Sequence, residues 1–211
     1  MRATKRRAGL ARLAALVAAS ALLAGCAGSA PHEEQGGAVP TDHPRVAVLP
    51  FENLSGREEQ GRRFTLAFVA TLAGTGAAEV VDVGQTESMV EELQIRATAS
   101  PTREQLAAIG ESLQVRYALL GSVLEAQTLR TPDGDTPTAG ASLRLVETST
   151  ARIVWAAVRV KTGDEKETVF GWGREESGEK LLTKLAAEML RPFRDAGDAW
   201  RKRTTTNEVT K

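Results

Sequence analysis

In this chain of 211 residues the side chains able to do chemistry are few, and their spacing decides what they could do. There is one cysteine, Cys26, so a thiol nucleophile could come from that position alone and no intrachain disulfide can form. Both histidines, His32 and His43, lie in a polar stretch near the N-terminus, which leaves the core without an imidazole for general acid–base work. Gly171-Trp-Gly173 precedes a helix as a phosphate loop does. The next glycine is Gly178, however, and the lysine such a loop needs is missing. Asp133-Gly-Asp135 begins like a calcium loop, but Thr138 stands at its glycine position and Arg144 at its closing glutamate, so these residues make a turn. Asn53-Leu-Ser55 fits a glycosylation triplet, which helix initiation at Ser55 explains more simply. Glu91-Glu92 belongs to the solvated face of an amphipathic helix. Trp155 belongs to the core, on a strand whose alternate residues Val154, Ala156 and Val158 imply cover on both faces. These residues assemble no catalytic, cofactor-binding or metal-binding set, and the chain reads as a non-enzyme without a cofactor.

The one thiol has a different context. Met1–Arg12 carries five positive charges and no acid, and Leu13–Leu23 is an eleven-residue apolar run broken only by Ser20. A helix needs about 20 apolar residues to cross a bilayer, so this run is too short for an anchor and fits a secretory signal over residues 1–25. Leu23-Ala24-Gly25-Cys26 resembles the lipobox of bacterial lipoproteins. That resemblance implies cleavage before Cys26 and acylation of its sulfur, as by palmitate. Acyl chains contribute about 0.8 kcal/mol per buried methylene, and two or three of them hold a protein firmly on a membrane. Ala27 at the second mature position, by resemblance to enterobacterial lipoproteins, implies the outer membrane, with the protein facing the periplasm.

The rest of the chain must then fold without disulfides. Removing the five cations of the signal from 27 basic residues leaves a net charge of −5 against 27 acidic ones. No basic surplus is left to hold phosphate backbones, which excludes nucleic acid as a partner. Residues 26–44 hold the lipidated cysteine and Ala27–Pro44, whose Gly, Pro, Ser and acids predict a flexible tether reaching at most ~60 Å. Residues 45–195 form a single domain. Residues 196–211 are a polar tail expected to fray.

Within the domain the period of the apolar pattern changes. Arg45–Phe51 (RVAVLPF) predicts a strand buried on both faces, and Ser55-Gly-Arg-Glu58 fits a capping box opening a helix with Phe64, Phe68 and Leu72 inward. Gly74-Thr-Gly76 ends that helix. Glu79–Val83 predicts a strand, Thr86–Ile95 a helix, and Ser100-Pro101 the start of another with Leu106, Ile109 and Leu113 inward. The period then becomes two: strands over Arg116–Leu129, Ala141–Val146 and Arg152–Val160, followed by a helix over Ser177–Phe193 with Leu181, Leu182, Leu185, Met189 and Phe193 on one stripe. The order βαβααβββα predicts an α/β fold. Its mixed sheet is parallel in the first half, an antiparallel meander in the second, and covered by helices.

Three stretches, RVAVLPFENLSG (45–56), LQVRYALLGSV (113–123) and ASLRLVETSTARIVWAA (141–157), together resemble the lipoproteins built on a TolB-amino-terminal-like domain. These include LpoB-type activators of penicillin-binding proteins and, more distantly, CsgG-type curli assembly proteins. The tether is shorter than the long linker of LpoB-type members, and the Thr-Gly of their hairpin turn is Ser149-Thr150-Ala151 here. The resemblance implies a lipid-anchored, periplasmic protein-binding module of the cell envelope. It would be anchored in outer-membrane lipid through Cys26, with a periplasmic protein partner such as a peptidoglycan synthase and no small-molecule substrate. The second reading is a CsgG-like component of an assembly or secretion complex. Lys161–Glu176 is too short and charged for a membrane hairpin, which ranks a pore below a non-pore role.

Overall fold

The structure, a computed structural model, describes residues 33–56, 60–131, 134–165, 175 and 177–209. Its strands are β1 (Glu33–Gly37), β2 (Arg45–Val48), β3 (Glu52–Asn53), β4 (Glu79–Val80), β5 (Tyr117–Thr131), β6 (Gly134–Glu147) and β7 (Arg152–Thr162). Its described helices are α1 (Gln60–Thr75), α2 (Val83–Glu92), α3 (Arg103–Leu113), α4 (Gly178–Met189) and α5 (Arg191–Val209). One sheet runs in the order β1-β7-β6-β5-β2-β4, with β3 also pairing β5. Pairing is parallel from β2 to β4 and β5, and antiparallel through β5, β6 and β7. The mixed α/β sheet expected from the change of period is what forms.

The doubly apolar run in β2 explains the layering. Val46 and Val48 point to one face and Ala47 and Leu49 to the other, and all four are buried. Tyr117 and Leu119 in the paired β5 join the first face, Ala118 and Leu120 the second. α1, α4 and the start of α5 cover the first face with Phe64, Phe68, Leu72, Leu181, Leu185 and Phe193. α2 and α3 cover the second, where Leu106 and Ile109 of α3 are buried. Caps fix where these helices begin. Asp82 accepts from the Gly84 amide at 2.9 Å to start α2. Thr102 and Gln105 form a reciprocal capping box at α3, with bonds of 3.2 and 2.9 Å.

The structure departs from the sequence expectations in several places. The strand expected over Glu79–Val83 is only Glu79–Val80, because Asp82 is used as the cap of α2, which begins at Val83 rather than Thr86. β6 begins at Gly134, so the middle strand of the meander is much longer than Ala141–Val146. Part of the tether is a strand: β1 lies antiparallel on β7, with Gly37 opposite Trp155. Its sequence EEQGG has little to bury, but an added edge strand is held by backbone bonds, which composition does not reveal. The polar tail is helical: α5 continues the apolar stripe through Phe193 and the buried Ala196, and Trp200 stacks on His43 at 5.4 Å. Pro192, which has no amide N–H to donate and whose ring crowds the carbonyl four residues back, separates α5 from α4 and splits the single expected helix. β7, finally, is fully covered on one face only: Trp155 and Ala157 are buried, while Val154, Ala156 and Val158 on the alternate face are half-buried.

Candidate protein-docking cleft

α1 carries Phe64, Phe68 and Leu72 four residues apart, which turns all three toward the sheet. There Phe51 packs on Phe64 and Phe68, with ring centroids 5.6 and 5.4 Å away. Leu66, two residues from Phe64, falls on the outer side of the helix and is 47% exposed. α4 buries Leu181, Leu182 and Leu185, and Leu182, the least covered of the three at 9% exposure, stands at the border with α1. Between the two helices lies an open cleft of about 530 Å³, whose floor and walls are Phe64, Leu66, Ala67, Leu182 and Thr183. Arg63 Nη1 meets Glu179 Oε1 at 2.8 Å across one end and gives the apolar floor a charged rim. An apolar groove with a polar rim is the anatomy of a surface that accepts a protein side chain.

At the far end of α4 the charges serve the fold. Lys161 of β7, 7% exposed, places Nζ 2.8 Å from Glu165 Oε2 and 2.9 Å from Glu188 Oε1. Arg159 adds a second cation to Glu188 at 3.1 Å. Burial pulls the Lys161 ammonium down, but its bonds to Glu165 and Glu188 outweigh that and hold it above its ordinary value. Burial likewise pushes Glu188 up, and Lys161 and Arg159 overcome it, so its carboxyl ends below the usual range. A lysine held protonated beside ionised carboxylates is a clamp between β7 and α4, not an acid–base pair.

The residues singled out from sequence are scattered. Cys26, His32, Asp133 and Gly171–Gly173 lie outside the described residues, as do Arg57 and Glu58 of the expected capping box. α1 begins at Gln60, and the Ser55 hydroxyl donates to Asn53 Oδ1 at 2.6 Å. Asp135 is exposed and pairs with Arg130 at 3.9 Å. The two positions that break the calcium loop are structural: Thr138 is buried in β6, and Arg144 donates to the Ala99 carbonyl. Glu91 and Glu92 are exposed on α2. Among the described residues no group of three or more His, Cys, Asp or Glu could hold a metal ion, and no helix is long and apolar enough to cross a membrane. Sequence reasoning missed Leu66 and the cleft. The available signal was a leucine standing off the 64–68–72 stripe of α1, where burial in the same core is geometrically excluded.

The family model described as peptidoglycan-synthase activator LpoB matches residues 17–159. Comparison with curated proteins gives no match. Among solved structures, the fold is similar to that of the PelC dodecamer from Paraburkholderia phytofirmans, at 20% identity and a TM-score of 0.55, over 78% of this chain and 98% of that one. It is also similar to lipoprotein GNA1162 from Neisseria meningitidis, at 18% identity and a TM-score of 0.53, over 70% of this chain and 95% of that one. At such identities the likeness is one of fold.

Proposed function

The chain belongs to the family of LpoB peptidoglycan-synthase activators, and from that premise we propose that it is a lipid-anchored envelope protein that binds and activates a peptidoglycan synthase. The family match over 17–159 carries this reading. Acylated Cys26 would hold the protein on the outer membrane with its domain in the periplasm. The partner contact would be the cleft between α1 and α4, where Leu66 and Leu182 accept an apolar side chain and the Arg63–Glu179 pair orients its polar neighbours. An activator needs no catalytic residues of its own, only a surface that favours the active state of the synthase.

Glycan polymerisation by the synthase of the same organism, measured with and without this protein, tests the reading. The expected result is a faster rate that Leu66→Glu abolishes while the fold is kept. A rate unchanged by the wild-type protein overturns it. A second reading, a subunit of a ring-shaped envelope assembly, is favoured by the fold shared with a protein solved as a dodecamer. Mass measurement in detergent separates the two, since an activator is expected as a monomer and a ring subunit as a large closed oligomer.

A further inference from the structure

The two edges of β5 are paired to different lengths. One carries β6 all the way from Tyr117 to Thr131. The other carries β2 at Tyr117–Leu119 and β3 at Ser122–Val123, and there the pairing stops. The last bond on that side runs from the Leu54 amide to the Val123 carbonyl, at 2.8 Å. From Leu124 to Thr131 no described residue pairs with this second edge, and Gln127, Thr128, Leu129 and Arg130 are exposed. Such an edge presents a row of unmet amides and carbonyls, which proteins blunt with prolines, charges or a covering element. Here there is no proline, and the charges stand only toward the two ends, as Glu125 and Arg130.

The side chains along the edge narrow what would pair there. A bulge after Val123 resets the alternation. Ala126 packs on the core face, with Thr128 two positions on, and Glu125, Gln127 and Leu129 fall on the opposite face. Ala126 and Thr128, with Leu182 of α4, border a hollow of about 280 Å³ that shares Gln60, Glu179 and Leu182 with the cleft and so continues it. On the opposite face Leu129 is 47% exposed. Glu125 is half-buried there, and so is Glu52 of β3, which shares that face through its register with Ser122. Neither carboxylate has an ion pair or a hydrogen bond among the described residues. Two half-buried acids without a countercharge, beside an unpaired edge, favour a cation brought by whatever pairs with it.

We infer that the free edge of β5 beyond Val123 takes an extended, basic segment of the protein partner as an added strand in line with β3. Backbone bonds to Leu124–Thr131 give the attachment, as in other strand additions to an exposed edge. On the core face the segment's apolar side chains enter the hollow toward Leu182. On the other, a lysine or arginine meets Glu125 and Glu52, and an apolar side chain lies beside Leu129. The same edge of a second copy is a poorer occupant. Paired strands set side chains of one face against each other, and on the face of Glu125 the arm offers Gln127 and Leu129 but no cation. The inference rests on the reading that this chain binds a protein partner, and it assigns the shape and charge of the segment recognised.

The test uses the full chain, isotope-labelled and in nanodiscs of zwitterionic lipid, titrated with capped Lys-Val-Lys-Val-Lys-Val and Glu-Val-Glu-Val-Glu-Val peptides and followed by NMR. With the lysine peptide, saturable shifts at Leu124–Thr131 and slowed hydrogen exchange at every second amide of that stretch are expected. The glutamate peptide should bind about fivefold or more weakly, and Glu125→Lys should abolish that preference. Two further lysine peptides, one N-methylated at its valines and one at its lysines, test strand pairing. One of them should fail to bind, because an added strand turns only every second amide to the edge. No saturable shift at Leu124–Thr131, equal binding of the two charge forms, or equal binding of the two methylated peptides overturns the proposal. Slowed exchange at the same amides without peptide, rising with protein concentration as the mass doubles, also overturns it and gives the edge to a second copy. If Glu125→Lys does not fold, Glu125→Gln makes the same comparison with a smaller change. The titration contains no synthase, so failure here and failure to stimulate glycan polymerisation are separate results.

Discussion

Lys161 on β7 and Glu188 on α4 are 27 positions apart in sequence and 2.9 Å apart in the fold, a contact that fastens the C-terminal helices to the far end of the meander. Lys161→Met removes the cation and leaves Glu165 and Glu188 facing each other with Arg159 to compensate in part. The expected loss is about 2 kcal/mol, in the range of hydrogen bonds to charged groups. The pH dependence follows from the shifts. The Glu188 value is lowered in the folded state, so its contribution is present above the ordinary carboxylate value and is lost as pH falls through the lower folded one. The Lys161 value is raised, so its contribution is complete below the ordinary lysine value and is lost as pH rises through the higher folded one. Denaturant melts should therefore show a plateau between the two limits, and the Glu188→Gln protein should lose less stability than wild type on acidification. An identical acid limb in both proteins would exclude Glu188 as a contributor.

Trp155 is buried at 1% exposure, crosses Phe193 edge-to-face at 5.1 Å, and has an indole N–H with no acceptor among the described residues. Trp155→Ala is expected to cost about 3–5 kcal/mol through the cavity it leaves. Trp155→Phe should cost much less, because it keeps an aromatic ring against Phe193 and removes a buried donor that has no partner. Thermal melts of the three proteins decide this. Equal losses for Ala and Phe would mean that the indole N–H has a partner after all.

The legible part of this fold was the part governed by side-chain burial. RVAVL is apolar at every position after its arginine because β2 lies between two helical layers, and the spacings in α1, α3 and α4 report one buried face each. What escaped was held by backbone bonds or by a few contacts from a polar segment. β1 is glutamate, glutamine and glycine, and nothing in those types announces pairing with β7. α5 is polar nearly throughout, and only the 193–196–200 spacing of Phe, Ala and Trp marks its inner side. The cleft was hidden for a further reason: Leu66 and Leu182 belong to helices more than 100 residues apart, and no local pattern shows that they share a wall.

Gly37 ends β1 at φ +81°, and a Cβ there would lie 2.1 Å from the Val154 carbonyl oxygen. Gly37→Val therefore meets the left-handed backbone penalty of roughly 1–2 kcal/mol together with a clash. Since β1 is an edge strand, the expected outcome is its release rather than global unfolding. The Ala38 amide, bonded to the Val154 carbonyl at 3.1 Å, should lose its protection in hydrogen exchange, with the melting temperature lowered by only a few degrees. Protection kept at Ala38 would show that the sheet can absorb the side chain.

The anchoring proposal rests on Cys26 and is tested at that residue. Cys26→Ser removes the sulfur that would carry lipid while leaving every described element untouched, so the variant should keep the wild-type melting curve and pass from the detergent phase to the aqueous phase on partitioning. No described helix offers a substitute anchor, since none is long and apolar enough to cross a bilayer. The short apolar run at Leu13–Leu23 is below the length needed to span. Loss of membrane association without loss of fold is the result expected of a protein held by acyl chains alone. A variant that stays with the membrane would assign the anchor to the uncleaved N-terminal segment or to a protein partner, and would overturn lipidation as the means of attachment.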